Sequence, residues 1–216
     1  MSFEITSRDY VAYLKRAAKK IHENGDYISM LDGATGDGDH WANMNMGFEA
    51  MVAAGDEMEA MNIDGVFRKI GMLMMSKIGG SSGVLYGGAY MAASRALAGK
   101  VTMTGEDLCT ALNAMVEDMM DRGKAEPGFK TMIDSLYPAV QTYRKCLEVG
   151  KSDAETMAAV KQAALDGAEA TRAMEAVKGR PSYRPDKAVG HLDPGAVTMS
   201  YQMECLCDYI SENLLK

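Results

Sequence analysis

At 216 residues the chain has the length of one domain, and its 47% hydrophobic and 25% charged residues supply a core and exclude intrinsic disorder. Thirty acidic against 23 basic side chains leave a formal charge of −7, which argues against a surface built to lie on nucleic-acid phosphates. The longest uncharged stretch, residues 78–94, is broken by Gly79, Gly80, Ser81, Ser82 and Gly83, so no apolar run reaches membrane-spanning length.

The opening residues MSFEITSRDY carry neither a basic n-region nor an apolar h-region, so no secretory signal is read there. Without one, Cys109, Cys146, Cys205 and Cys207 are expected as reduced thiols of a cytoplasmic protein. Along the chain, Thr6-Ser7-Arg8-Asp9 offers a capping box with Ile5 and Tyr10 as a staple. Val11, Leu14, Ala18 and Ile21 then predict an amphipathic helix running towards Asp26. Further helices are expected from about Trp41, over residues 63–77, and from about Gly83 to Leu97. Another is opened by Thr104-Gly105-Glu106-Asp107, and one spans residues 132–149, where Pro138 should either kink it or mark its first turn. Ser152-Asp153-Ala154-Glu155 and Asp193-Pro194 open the last two. About eight helices with no strand pattern and mostly short connectors predict an all-α, single-domain architecture over 1–216, an antiparallel bundle or closed helical barrel.

Three connectors are too long or too glycine-rich for simple turns: residues 31–40, 78–83 and 179–193. The first packs Asp32, Asp37 and Asp39 among Gly33, Gly36 and Gly38. A hard divalent cation relieves the mutual repulsion of such a cluster, and Mg²⁺ shared between carboxylates and substrate phosphates is the usual solution. The plainer reading is that Asp39 caps the next helix while Asp32 and Asp37 serve turns. The register excludes an EF-hand, because the fifth and sixth positions counted from Asp37 are Trp41 and Ala42. Gly79-Gly80-Ser81-Ser82-Gly83, placed before an apolar helix, can cup an anion with free N–H groups and hydroxyls. Gly150-Lys151-Ser152 imitates the end of a phosphate-binding loop, but Lys145 occupies the place of its first glycine and a helix precedes it, so helix capping accounts for it. Arg180 is suited to clamp phosphate oxygens, whereas Arg184 reads as a solvated surface arginine and Cys205-x-Cys207 as ordinary thiols.

Taken in order, five blocks resemble the L subunit of dihydroxyacetone kinase. They are Gly36-Asp37-Gly38-Asp39-His40 with Asn43-Met44, Gly79 through Gly87, and Arg122-Gly123-Lys124-Ala125 with Lys130-Thr131-Met132, followed by Gly179-Arg180-x-Ser182-Tyr183 and Gly190-His191-x-Asp193-Pro194-Gly195-Ala196. The resemblance implies an eight-helix barrel binding ADP or ATP and two Mg²⁺ ions at one rim. Asp32, Asp37 and Asp39 would be the metal ligands, and with Arg180 they would form the catalytic set. His40, Trp41, Ala42, Asn43, Ser81, Ser82, Gly123, Met132, Arg180, Asp193, Pro194 and Gly195 would contact the nucleotide. Three residues depart from the family's habit: Trp41 replaces a small glycine, Phe129 an aspartate and Pro181 an alanine.

The same resemblance implies that a separate K subunit holds the ketose covalently, so that this chain supplies phosphate and is active only with its partner. A chain running from its first helix cap to just past its last helix leads to the further expectation that phosphoenolpyruvate, through a phosphohistidine carrier protein, recharges an ADP that stays bound. A subunit using free ATP on another short ketose, a non-catalytic nucleotide sensor and a metal-dependent phosphoester hydrolase are the alternatives.

Overall fold

A computed structural model describes residues 2–215, which form β1 (Glu4–Ile5), α1 (Ser7–Glu23), α2 (Gly25–Thr35), α3 (His40–Ala53), α4 (Gly55–Glu59), α5 (Ile63–Lys77), α6 (Gly80–Ala96), β2 (Met103–Thr104), α7 (Gly105–Gly123), α8 (Ile133–Glu148), α9 (Asp153–Ala170) and α10 (Pro194–Asn213). Short 3-10 turns at Thr171–Ala173 and Arg180–Tyr183 interrupt the segment between α9 and α10. All three predicted capping boxes form: Thr6, Thr104 and Ser152 accept from the backbone N–H of Asp9, Asp107 and Glu155, whose carboxylates reach back to the cap. Each such cap stabilises its helix by about 1 kcal/mol.

Eight of these helices close a ring. α1 packs on α3, α3 on α5, and the chain continues α5, α6, α7, α8, α9, α10 with each helix against the next, until α10 returns to α1. These are the eight helices expected from periodicity. The structure adds two short ones. The first helix stops at Glu23, where the Asn24 side chain donates to the Lys20 carbonyl, and α2 begins at once, so Asp32 lies in a helix and the connector shrinks to residues 36–39. Gly25 permits that junction, because the Trp41 indole lies 2.7 Å from where a Cβ would stand. The second addition, α4, packs under α1 and α5. The expectation of no strands also needs correction: Glu4 pairs with Thr104 and Ile5 with Met103, antiparallel, tying the N-terminus to the α6–α7 connector.

Pro138 sits in the second turn of α8, neither at its start nor at its end. Having no N–H, it leaves the Asp134 carbonyl without its helical donor, and α9 covers that carbonyl with Gly167, where any side chain would collide with it. Inside the ring, Tyr86, Tyr90, Tyr143, Phe48 and Phe67 are fully buried, each contributing about 1.5–3 kcal/mol by leaving water. α10 is buried on nearly all sides, including both Cys205 and Cys207, whose thiols burial pushes up to about 11 and about 12. They are inert packing groups.

Candidate active site at the barrel rim

Because neighbouring helices alternate direction, one end of the ring collects the N-termini of α3, α6, α8 and α10 with the C-terminus of α7. Four positive dipole ends face a cavity of about 810 Å³, a favourable setting for a polyanion. Its wall contains Asp32, Asp37, Asp39, His40, Asn43, Ser81, Ser82, Gly123, Met132, Arg180, Asp193, Pro194 and Gly195, so most of the predicted residues meet in one place.

Asp32, Asp37 and Asp39 each offer an oxygen within 4.8 Å of the others. Asp32 is buried and accepts from the His40 backbone N–H at 2.9 Å, which holds the turn closed. Asp39 occupies the N-cap position of α3 but makes no side-chain capping bond, so the helix-capping explanation of this acid does not hold. Asp37 takes the Arg180 guanidinium at 2.6 Å. Three hard oxygen donors, one of them answered by a guanidinium, fit a divalent cation.

His40 is fixed from inside the ring. Its Nε2 lies 2.9 Å from Thr198 Oγ1, and that hydroxyl is also within 3.1 Å of the Gly195 carbonyl, so ring and hydroxyl share one hydrogen-bonded link. Gln202 continues this buried chain to the Tyr86 hydroxyl at 3.2 Å. Burial pushes the His40 imidazole below its ordinary value against the pull of Asp32 and Asp39. Across the cavity, Asp193 caps α10 by accepting from Ala196 N–H at 2.7 Å. Burial raises its carboxyl to about 7; Asp134 and Asp32 push the same way, opposed by that N–H and by Lys130.

The α6 helix starts three residues earlier than expected, at Gly80, with Gly79 as N-cap and no side-chain cap. Ser81 and Ser82 therefore stand in its first turn, where backbone N–H groups have no helical partner and point at the cavity.

The DAK2 domain model matches residues 34–208. The chain belongs to the DAK2 family. It is 34% identical over 196 residues to the PEP-dependent dihydroxyacetone kinase ADP-binding subunit DhaL of Escherichia coli (strain K12), covering 91% of this chain and 93% of that one. It is 39% identical over 184 residues to the corresponding subunit of PEP-dependent dihydroxyacetone kinase 1 of Listeria innocua, covering 85% and 87%. Among solved structures, the dihydroxyacetone kinase of C. freundii in complex with AMP-PNP and Mg²⁺ superposes with a TM-score of 0.69 at 26% identity over 92% of this chain. The chain spans about a third of that kinase, 33% of its length.

Two predicted contacts of the DAK2 chain fall elsewhere. Trp41 and Ala42 do not line the cavity: the Trp41 indole turns towards α1 and α2, donating Nε1–H to the Ile21 carbonyl at 3.2 Å and covering Gly25. Helical rotation of about 100° per residue separates them from His40 and Asn43, which share the inner face. Phe129 packs partly buried against the core, and Pro181 lines the cavity beside Arg180. Arg184 is not simply solvated. It pairs with Asp186 and donates to the Ala34 carbonyl at 2.9 Å, tying the long connector to the acid turn. Arg122, Lys130 and Lys178 also line the cavity, although sequence reasoning assigned them no role. Arg122 and Lys130 stand inside the blocks that carry the resemblance, whereas the signal for Lys178 is its place beside Gly179-Arg180.

Proposed function

We propose that this DAK2 chain is the phosphoryl-transfer subunit of a dihydroxyacetone kinase, in which Mg²⁺-nucleotide at the rim donates phosphate to a short ketose held by a separate sugar-binding K subunit. The observation that carries the reading is the acid cluster and the serine-bearing start of α6 in one cavity. Relatives named as ADP-binding subunits of dihydroxyacetone kinase, and a structural relative described with AMP-PNP and Mg²⁺, support phosphoryl transfer over nucleotide sensing or ester hydrolysis. Residues 1–216 then act as one nucleotide-binding unit in the cytoplasm.

Asp32, Asp37 and Asp39 would hold two Mg²⁺ ions, which supply charge neutralisation between the nucleotide phosphates. Ser81, Ser82 and the α6 N-terminus hold phosphate oxygens, and Arg180 leaves Asp37 to stabilise developing charge. His40, Asn43, Gly123, Met132, Asp193, Pro194 and Gly195 shape the rest of the nucleotide seat. Positioning and charge dominate a loose phosphoryl-transfer transition state, so acid–base work on the acceptor hydroxyl falls to the partner. The relatives' names as PEP- or PTS-dependent subunits support ADP as a bound coenzyme recharged from phosphoenolpyruvate through a phosphohistidine carrier.

Turnover measured with a K subunit, dihydroxyacetone and each donor separately tests this. Ketose phosphate should form with the phosphoenolpyruvate relay and only when the K subunit is present. Equal product from the chain alone, or product from free ATP and none from the relay, overturns the assignment of partner or donor respectively.

A further inference from the structure

Lys130 is 3% exposed in the cavity wall, one residue before Thr131 and two before Met132. By charge and place it is a candidate phosphate binder, yet its ammonium is fully committed. It donates to the carbonyl oxygens of Thr171 at 2.6 Å, Met174 at 3.3 Å and His191 at 2.5 Å. An ammonium has three donors, so none is left for a nucleotide.

Those carbonyls stand at the two ends of one segment. Thr171 and Met174 lie where the chain leaves α9, and His191 lies where it returns to the Asp193 cap of α10. The ends also bond each other, Gly190 N–H to the Arg172 carbonyl at 2.8 Å and Asp193 N–H to Thr171 Oγ1 at 3.0 Å. Among the described residues, Lys130 alone hydrogen-bonds from the wall ahead of α8 to both ends at once; the Val177 N–H to Phe129 carbonyl bond at 3.2 Å reaches one side. At the far end of this loop, Arg180 meets Asp37 and Arg184 meets Ala34. Lys130 itself adopts φ 61°, a left-handed conformation that glycine would take with less strain, so the side chain is what the position requires.

We propose that Lys130 is a positioning residue for nucleotide binding: its ammonium clasps the neck of the loop over residues 171–193 and so fixes where Arg180 and Asp193 stand at the rim. The effect on ADP rests on the nucleotide-site reading above; the clasp does not.

The test compares wild type with Lys130→Met and Lys130→Ala. In nucleotide-free protein, trypsin cleavage after Lys178 and Lys187 reports loop opening. With Mg²⁺, the ADP dissociation rate reports the consequence. Lys130→Met should keep the helical circular dichroism and cooperative melting of wild type while both rates rise at least ten-fold. In Lys130→Ala, n-propylammonium should slow both rates back towards wild type and n-propanol should not, since the clasp is the ammonium and not its volume. Rates within two-fold of wild type in Lys130→Met, or equal rescue by propanol, overturn the clasp. If Lys130→Ala fails to fold, Lys130→Met alone decides between these outcomes. Wild type that binds no ADP with Mg²⁺ removes the nucleotide-site reading, and faster cleavage of Lys130→Met would still establish the clasp.

Discussion

Replacing Arg180 with alanine is expected to move two affinities in opposite directions. In the nucleotide-free protein the guanidinium sits 2.6 Å from Asp37, so a cation entering the acid cluster must first displace it. Both partners are accessible, with 69% and 34% of their side chains exposed, and an exposed pair of this kind is worth about 0.2–1 kcal/mol. Arg180→Ala should therefore bind metal about 1.4–5-fold more tightly when no nucleotide is present. With nucleotide, the same change removes a charge-assisted hydrogen bond to phosphate, worth about 1.5–3 kcal/mol, and weakens ADP about 10–150-fold. Calorimetry with Mn²⁺ alone, then with ADP in saturating Mg²⁺, reads both numbers. Weaker metal binding in Arg180→Ala would refute the competition between guanidinium and metal, and unchanged ADP affinity would refute the contact with phosphate.

Trp41→Phe should lose about 1 kcal/mol of stability with the indole bond to the Ile21 carbonyl while ADP affinity stays within two-fold, and a large loss of ADP affinity without destabilisation would put the ring back at the rim. The Asp193 carboxyl, raised to about 7, keeps a proton in the folded state that the unfolded chain has released from about pH 4 upward. Its contribution to stability is therefore complete below about pH 4 and is lost as pH rises through 7, with a slope of up to ~1.4 kcal/mol per pH unit. Urea unfolding of metal- and nucleotide-free protein at pH 5, 6 and 7 should show the stability of wild type minus that of Asp193→Asn falling with pH; a flat or rising difference contradicts the buried carboxyl.

Much of the ring was legible because its signals are local. Thr6 with Asp9, Thr104 with Asp107 and Ser152 with Glu155 are complete within four residues, and the apolar period then carries each helix forward. The acid turn was equally local. What escaped was decided by packing between distant segments. The first helix reads as running towards Asp26 until Trp41 is seen filling the space above Gly25, where α2 begins, and Trp41 reads as a rim residue until the rotation of α3 turns it away. Pro138 looks like a boundary because its compensation, Gly167, stands on another helix. Lys130 carries a charge whose use depends on carbonyls more than forty residues away, so no spacing along the chain reveals it.

Calorimetric titration of ADP into the purified chain with Mg²⁺, with EDTA, and into Asp37→Asn with Mg²⁺ tests most directly that the acid cluster and the helix N-termini act as one nucleotide site. Strong binding is expected in the first case alone, because the phosphates meet the three carboxylates only through metal charge. The same affinity in all three titrations would contradict it.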